Sequence, residues 1–130
     1  MVLDDPRSAT KLVSTTDLVK HLPDHGQNPV AGTKDQLHYL LYQKRVIDIP
    51  VPVLETIARI DGGIVLDHDS NLLAFGAILP YQDLTDLHPE NIEGGRTTAA
   101  IAASRFGNVL EISEDGLISF FRRGKCVWEI

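Results

Sequence analysis

The chain has 130 residues and a formal net charge of −6, with 43% hydrophobic and 23% charged residues. These values are typical of a single globular domain, and they exclude both a disordered chain and a duplex-DNA protein that relies on broad phosphate neutralisation. No apolar run is long enough to span a bilayer, the N-terminus is acidic, and the single Cys126 has no partner for an internal disulfide, so we expect a cytoplasmic protein with no membrane partner.

The N-terminal third is predicted to be helical and loop-rich. Residues 1–11 have no clear periodicity and are expected to be a mobile lead-in. A short helix is predicted to start near residues 14–17, which offer several N-cap side chains, and to end at Pro23. The composition of residues 24–32 is that of a loop.

Two further helices are predicted before the first hairpin. Thr33 and Gln36 have the spacing of a capping box, and leucines at helical spacing follow them to about Arg45. Pro52 then suits the first turn of a helix whose apolar face leads to Asp61. We assign residues 1–52 to an N-terminal helical segment of the same domain and residues 53–130 to its core.

A buried hairpin is predicted around a polar turn. Apolar residues 64–66 and 72–78 flank the turn residues 67–71, which is the pattern of two antiparallel strands. Asp61-Gly62-Gly63 introduces the first strand, where glycines permit positive φ or close backbone approach to a ligand. Two interpretations of Asp61 remain open, a turn residue that closes the preceding helix or a catalytic carboxylate.

The segment Gly94-Gly95-Arg96-Thr97-Thr98 is the best candidate for an anion site. It follows a long polar loop, and its glycines expose N–H groups at the start of a predicted helix whose dipole favours negative charge. Arg96 and the two threonine hydroxyls add donors. The alternative is a helix capped by Thr97 or Thr98 and ended by Gly107, with a solvated arginine.

The last third is predicted to be a β-meander. Strands are expected over residues 108–112, 117–121 and 126–130, with a turn at 113–116. Metal sites are poorly supported by the sequence alone, because Pro23 spoils the helical geometry that would align His21 with His25.

Taken in order, four of these segments resemble the diadenylate cyclase domain family. That family has Asp-Gly-Ala at the start of a hairpin, Leu-Pro at its end, Gly-Thr-Arg-His-Arg-Ala-Ala at a helix start and Ser-Glu-Glu in a later turn. The corresponding segments in this chain lie between about Val53 and Lys125. They are Asp61-Gly62-Gly63, Leu79-Pro80, Gly94-Gly95-Arg96-Thr97-Thr98-Ala99-Ala100 and Ser113-Glu114-Asp115.

The resemblance implies an α/β (α+β) fold with a mixed sheet flanked by helices, and a site for ATP or a cyclic dinucleotide. Asp61 would assist the 3′-hydroxyl or hold Mn²⁺ or Mg²⁺, and Arg96 and Thr97 would face the phosphates. Glu114 would stand near the metal or the ligand. The remaining residues implied to contact the nucleotide are Gly62, Gly63, Leu79, Gly94, Gly95, Thr98 and Ser113.

The chain departs from the family where phosphate chemistry is concentrated. Thr97 stands in place of the family's histidine and Thr98 in place of its second arginine. Loss of one such arginine costs about 10³-fold or more in phosphoryl transfer, whereas binding tolerates such losses better. We therefore expect a nucleotide-binding sensor domain with weak or no catalysis. The alternatives are an active diadenylate cyclase and a structural or oligomerisation module without a ligand.

The same resemblance bears on assembly. In such enzymes two subunits face each other across their nucleotides, so a homo-oligomer is one expectation for this chain. Fusion to further domains in a longer protein is another.

Overall fold

A computed structural model describes residues 1–19, 33–79 and 94–130. Within them six strands and four α-helices are present, together with two short 3₁₀ turns at Pro6–Ser8 and Val46–Asp48. The helices are α1 (Ala9–Leu12), α2 (Thr33–Leu41), α3 (Val51–Ala58) and α4 (Gly95–Ala103), and the strands are β1 (Val2–Leu3), β2 (Gly63–Leu66), β3 (Leu72–Ala77), β4 (Gly107–Ile112), β5 (Ile118–Arg122) and β6 (Lys125–Glu129).

The six strands form one mixed sheet in the order β3-β2-β1-β4-β5-β6. β1 is parallel to β2, and every other neighbouring pair is antiparallel. The predicted hairpin corresponds to β2 and β3, and the predicted meander to β4, β5 and β6. The expected α+β fold with a mixed sheet and flanking helices is therefore confirmed.

The prediction that residues 1–11 are a mobile lead-in is wrong. β1 lies in the middle of the sheet, where Val2 pairs with Leu66 on one side and with Asn108 on the other. Gly107 crosses Leu3 so closely that an added Cβ would lie 2.8 Å from the Leu3 Cα. Only glycine leaves room for this contact between β4 and β1. Gly107 is the first residue of β4, and it does not end the preceding helix as predicted.

The helix predictions are confirmed in part. α3 starts at Val51, next to the expected Pro52, whereas α2 ends at Leu41, short of the expected Arg45. Residues 15–17 form a turn, so the expected helix does not form in the described residues before position 20. The rest of that prediction, with His21, Pro23, His25 and the loop 24–32, lies outside the described residues.

The two faces of the sheet are covered unequally. On one face, α1 and α4 pack on the sheet, with Leu12 and Val65 buried in one apolar cluster and Ala100 and Phe121 in a second. On the opposite face, α2 and α3 cover β2 and β3 and bury Phe75. Alternation along β4 places Leu110 and Ile112 on this second face, where both are exposed. In the described part of the chain, no helix covers this half of the sheet.

Candidate functional site

One end of the sheet collects the four segments that the sequence singles out. β2 is parallel to β1, and β1 is antiparallel to β4, so the first residue of β2 lies at the same end as the last residue of β4. Gly63 pairs with Ala77 at this end, which brings the residues after β3 there too. α4 runs back along β4, so the start of α4 also lies at this end. We call this the motif end of the sheet.

Asp61, Gly62 and Gly63 form the entrance to β2 at the motif end. Gly62 has φ +113°, and a Cβ at this position would lie 2.6 Å from the carbonyl carbon of Gly76. Only glycine fits a backbone crossing of this kind. Asp61 is an exposed residue two positions after Arg59, the C-cap of α3, so it is accessible both as a turn residue and as a catalytic carboxylate.

Leu79 connects the two halves of the motif end. A Cβ built at Gly63 would contact Leu79 Cδ1 at 3.6 Å. Leu79 also packs against the cluster beneath β2 and β3 and against the cluster between α4 and β4. It therefore brings the Asp61-Gly62-Gly63 segment close to the α4 side of the sheet. Its neighbour Pro80 lies outside the described residues.

The start of α4 differs from the predicted threonine cap. Gly94 is the N-cap, with φ 95° and ψ 141°, and within residues 1–19, 33–79 and 94–130 the helix start has no side-chain cap. Thr98 Oγ1 donates to the Gly94 carbonyl at 2.9 Å, and Thr97 Oγ1 donates to Glu111 Oε1 at 3.2 Å. Both hydroxyl hydrogens are therefore used inside the protein. Among the residues that the structure describes, a Cβ at Gly94 or Gly95 would meet nothing within 4 Å, so the glycines leave the first turn open there.

Arg96 links α4 to the turn between β4 and β5. Its Nη2 lies 3.0 Å from Glu114 Oε1, and the two side chains are 62% and 85% exposed. In the same turn the Ser113 hydroxyl donates to the Asp115 carboxylate, and this bond is the main reason that the pKa of Asp115 is lowered. The predicted site residues Arg96 and Glu114 are thus in direct contact, while Ser113 serves the turn itself.

The electrostatic character of the motif end is mixed. Arg96 supplies a positive charge at the surface and Lys34 a second one beneath β3, whereas Asp61, Glu111, Glu114 and Asp115 supply four carboxylates. In residues 1–19, 33–79 and 94–130, no three His, Cys, Asp or Glu side chains come close enough together to hold a metal ion.

Two features of this region were missed from the sequence. Glu111 shares the inward face of β4 with the buried Val109, and a charged residue at such an alternating position was the available signal. Lys34 Nζ donates to Asp17 Oδ1 at 2.6 Å and to the Gly76 carbonyl at 3.2 Å, directly beneath the Gly62 crossing. No sequence pattern indicates that these last residues meet.

No protein-family model, curated protein or solved structure matches the chain. Among the described residues, no helix is both long enough and apolar enough to cross a lipid bilayer.

Proposed function

We propose that the chain is a nucleotide-binding domain of the diadenylate cyclase type, which acts as a sensor and in which catalysis is weak or lost. The observation that carries this proposal is the meeting of separate segments at one end of the sheet. Arg96 contacts Glu114, and Leu79 packs both beside Gly63 and against the α4 cluster. The order of these segments along the chain does not require them to contact one another in the fold. Their contacts therefore support a common nucleotide-binding site.

The start of α4 supports a phosphate position. In the described part of the chain, its first turn carries N–H groups without a side-chain cap, and Gly94 and Gly95 leave room for a ligand to approach. A phosphate there would gain the positive end of the helix dipole and the Arg96 guanidinium. Asp61 and the Gly62 backbone, at the entrance to β2, would then contact the sugar or the base.

The carboxylates favour binding of a nucleotide together with a divalent cation. Asp61, Glu111 and Glu114 would repel a free polyphosphate, because like charges at close range raise the energy of the bound state. Mn²⁺ or Mg²⁺ would be held by Asp61 and by phosphate oxygens, and would neutralise charge as the phosphates approach. We therefore expect nucleotide affinity to depend strongly on the cation.

Weak catalysis follows from the residues at the helix start. The family uses a histidine and a second arginine where this chain has Thr97 and Thr98. Both threonine hydroxyls donate within the protein, to Glu111 and to the Gly94 carbonyl. Neither side chain can supply the positive charge that stabilises a phosphoryl-transfer transition state.

The test is calorimetric titration of the chain with ATP and with cyclic di-AMP, in Mn²⁺ and in EDTA, followed by chromatography of each mixture. We expect binding that needs Mn²⁺ and little or no cyclic di-AMP formed from ATP. Arg96→Ala should weaken binding at least tenfold, whereas Arg59→Ala, at the exposed residue that follows the end of α3, should leave it unchanged.

The other outcomes separate the alternatives. Robust synthesis of cyclic di-AMP that is lost in Asp61→Ala would establish an active cyclase. Absence of binding to either nucleotide with Mn²⁺ present would overturn the proposal and favour a structural or oligomerisation module.

A further inference from the structure

The half of the sheet formed by β4, β5 and β6, whose second face no helix covers in the described part of the chain, carries a continuous apolar surface there. Register pairs Leu110 with Phe120 and Phe120 with Trp128 across three strands. Two residues further along the strands, Ile112 pairs with Ile118, and Ile118 exchanges backbone hydrogen bonds with Ile130. We call this surface the β4–β6 face; its apolar side chains are Leu110, Ile112, Ile118, Phe120, Trp128 and Ile130.

Four of these six apolar side chains are largely exposed. Leu110 is 50%, Ile112 65%, Trp128 43% and Ile130 77% exposed. The rings of Phe120 and Trp128 stack with their centroids 5.6 Å apart. This contact fixes the two rings relative to each other but leaves Trp128 accessible to solvent. Contiguous apolar patches of this kind mark interaction surfaces.

The two ends of the β4–β6 face carry opposite charges. The turn between β4 and β5 holds Glu114 and Asp115, both exposed, at the motif end. The far ends of β5 and β6 hold Arg122, Arg123 and Lys125, also exposed, and register places Arg122 opposite Lys125. A basic end, an apolar middle and an acidic end therefore follow one another along the same strands.

The free edge of β6 is a poor site for adding a further strand. The register pairs Phe120 with Trp128 but Phe121 with Cys126, so Val127 is an extra residue that forms a β-bulge. Bulges and edge lysines such as Lys125 disfavour edge-to-edge pairing. The face of the sheet, and not its edge, is the surface open to a partner.

We propose that a second copy of this chain packs on the β4–β6 face, with its strands running in the opposite direction. A two-fold axis through the centre of the β4–β6 face then places Arg122 and Lys125 of each copy beside Glu114 and Asp115 of the other copy. The same apolar rows meet across the axis. Such self-complementarity is the requirement for a closed two-fold dimer.

The size of the face sets the expected strength of this dimer. Three strands of about five residues cover about 14 Å by 17 Å, from the spacing of strands and the rise per residue. This footprint of about 240 Å² per copy is well below the roughly 800 Å² per partner of a standard interface, so the dimer should be weak and form only at tens of micromolar or above.

The experiment is sedimentation velocity on the full chain between 1 and about 200 μM, a range that brackets the expected dissociation constant. We expect a monomer–dimer equilibrium that Leu110→Glu and Trp128→Glu shift at least tenfold towards monomer. Ile47→Glu, a matched substitution at a 79% exposed isoleucine on another surface, should leave the equilibrium unchanged. Circular dichroism melts show whether each variant is folded.

A pair of charge-reversal variants tests the interface even if a single variant is destabilised, because mixing the two should restore association. Arg122→Glu with Lys125→Glu, and separately Asp115→Lys, should each weaken self-association, and a mixture of the two variants should restore a mixed dimer. A chain that stays monomeric throughout the range would overturn the proposal. A dimer that is insensitive to Leu110→Glu and Trp128→Glu would overturn it as well.

Discussion

Arg96 Nη2 lies 3.0 Å from Glu114 Oε1, which joins the first turn of α4 to the turn that follows β4. Both side chains are largely exposed, so the pair contributes little to stability. The pair matters more for ligand binding, because the Glu114 carboxylate contacts the Arg96 guanidinium to which a phosphate would otherwise bind. The contact therefore sets up competition between an internal carboxylate and an anionic ligand.

We predict that Glu114→Gln tightens the binding of AMP in EDTA by about twofold to fivefold. The amide removes a negative charge beside the phosphate position and frees Arg96 to pair with the ligand, and rim charges of this kind are worth up to about 1 kcal/mol. Calorimetric titration of AMP into wild type and variant measures the effect. Asp115→Asn, in the same turn, is the control, and equal tightening in both would assign the effect to general charge.

A second prediction concerns the backbone crossing at the motif end. Gly62→Ala should destabilise the protein by about 2 kcal/mol or more, because alanine is strained at positive φ and its Cβ has no room. Gly62 has φ +113°, with the Gly76 carbonyl carbon 2.6 Å from the added Cβ. Chemical denaturation followed by circular dichroism provides the free energy of unfolding.

Gly95→Ala is the matched control for Gly62→Ala. Gly95 is the first residue of α4, and an added Cβ would meet nothing within 4 Å. Alanine is favoured over glycine in a helix by up to about 1 kcal/mol, so this variant should be as stable as wild type or slightly more stable. Equal losses in both variants would contradict the assigned role of Gly62.

The hairpin and the meander could be predicted because their sequences contain both the strand pattern and the turn residues. Runs of four to six residues alternate between the two faces or are continuously apolar, and Asp67 to Asn71 and Ser113 to Gly116 mark the turns. α3 was equally clear, since proline near its start and apolar residues at helical spacing agree with each other.

The central strand and the helix cap could not be predicted for different reasons. β1 has two residues, too few for any periodicity, and its place follows from pairing with distant Leu66 and Asn108. Threonines near a helix start favour a cap locally, but here Thr97 reaches Glu111 on a neighbouring strand instead. Tertiary contacts decided both cases.

A third prediction concerns the ion pair beneath the motif end. Lys34→Met should destabilise the protein by about 1–3 kcal/mol, because Asp17 and the Gly76 carbonyl lose a hydrogen-bond donor in a partly buried place. The Asp17 side chain is only 14% exposed. Arg7→Ala breaks an exposed pair with Asp5 and should hardly change the denaturation midpoint. Similar effects of both substitutions would contradict the importance of burial here.

The last prediction is a pH dependence centred on Asp67. Its carboxylate is buried at the hairpin turn and accepts hydrogen bonds from the backbone N–H groups of Asp69 and Asn71 and from the Asn71 side chain. Burial alone would raise the pKa of Asp67, but the bonds from Asn71 and Asp69 outweigh it and lower the pKa. The folded state therefore holds the charged form more tightly than the unfolded chain does.

A lowered pKa in the folded state adds stability above the unfolded value of about 3.9, and this contribution is lost as pH falls through the folded value. Asp67→Asn should cost about 1–2 kcal/mol at pH 7, and the difference from wild type should shrink below about pH 4. Urea unfolding of both proteins between pH 2.5 and 7 measures this, with Asp69→Asn, an exposed carboxylate in the same turn, as control. A difference that stays constant across the range would show that the turn depends on the shape of Asp67 and not on its charge.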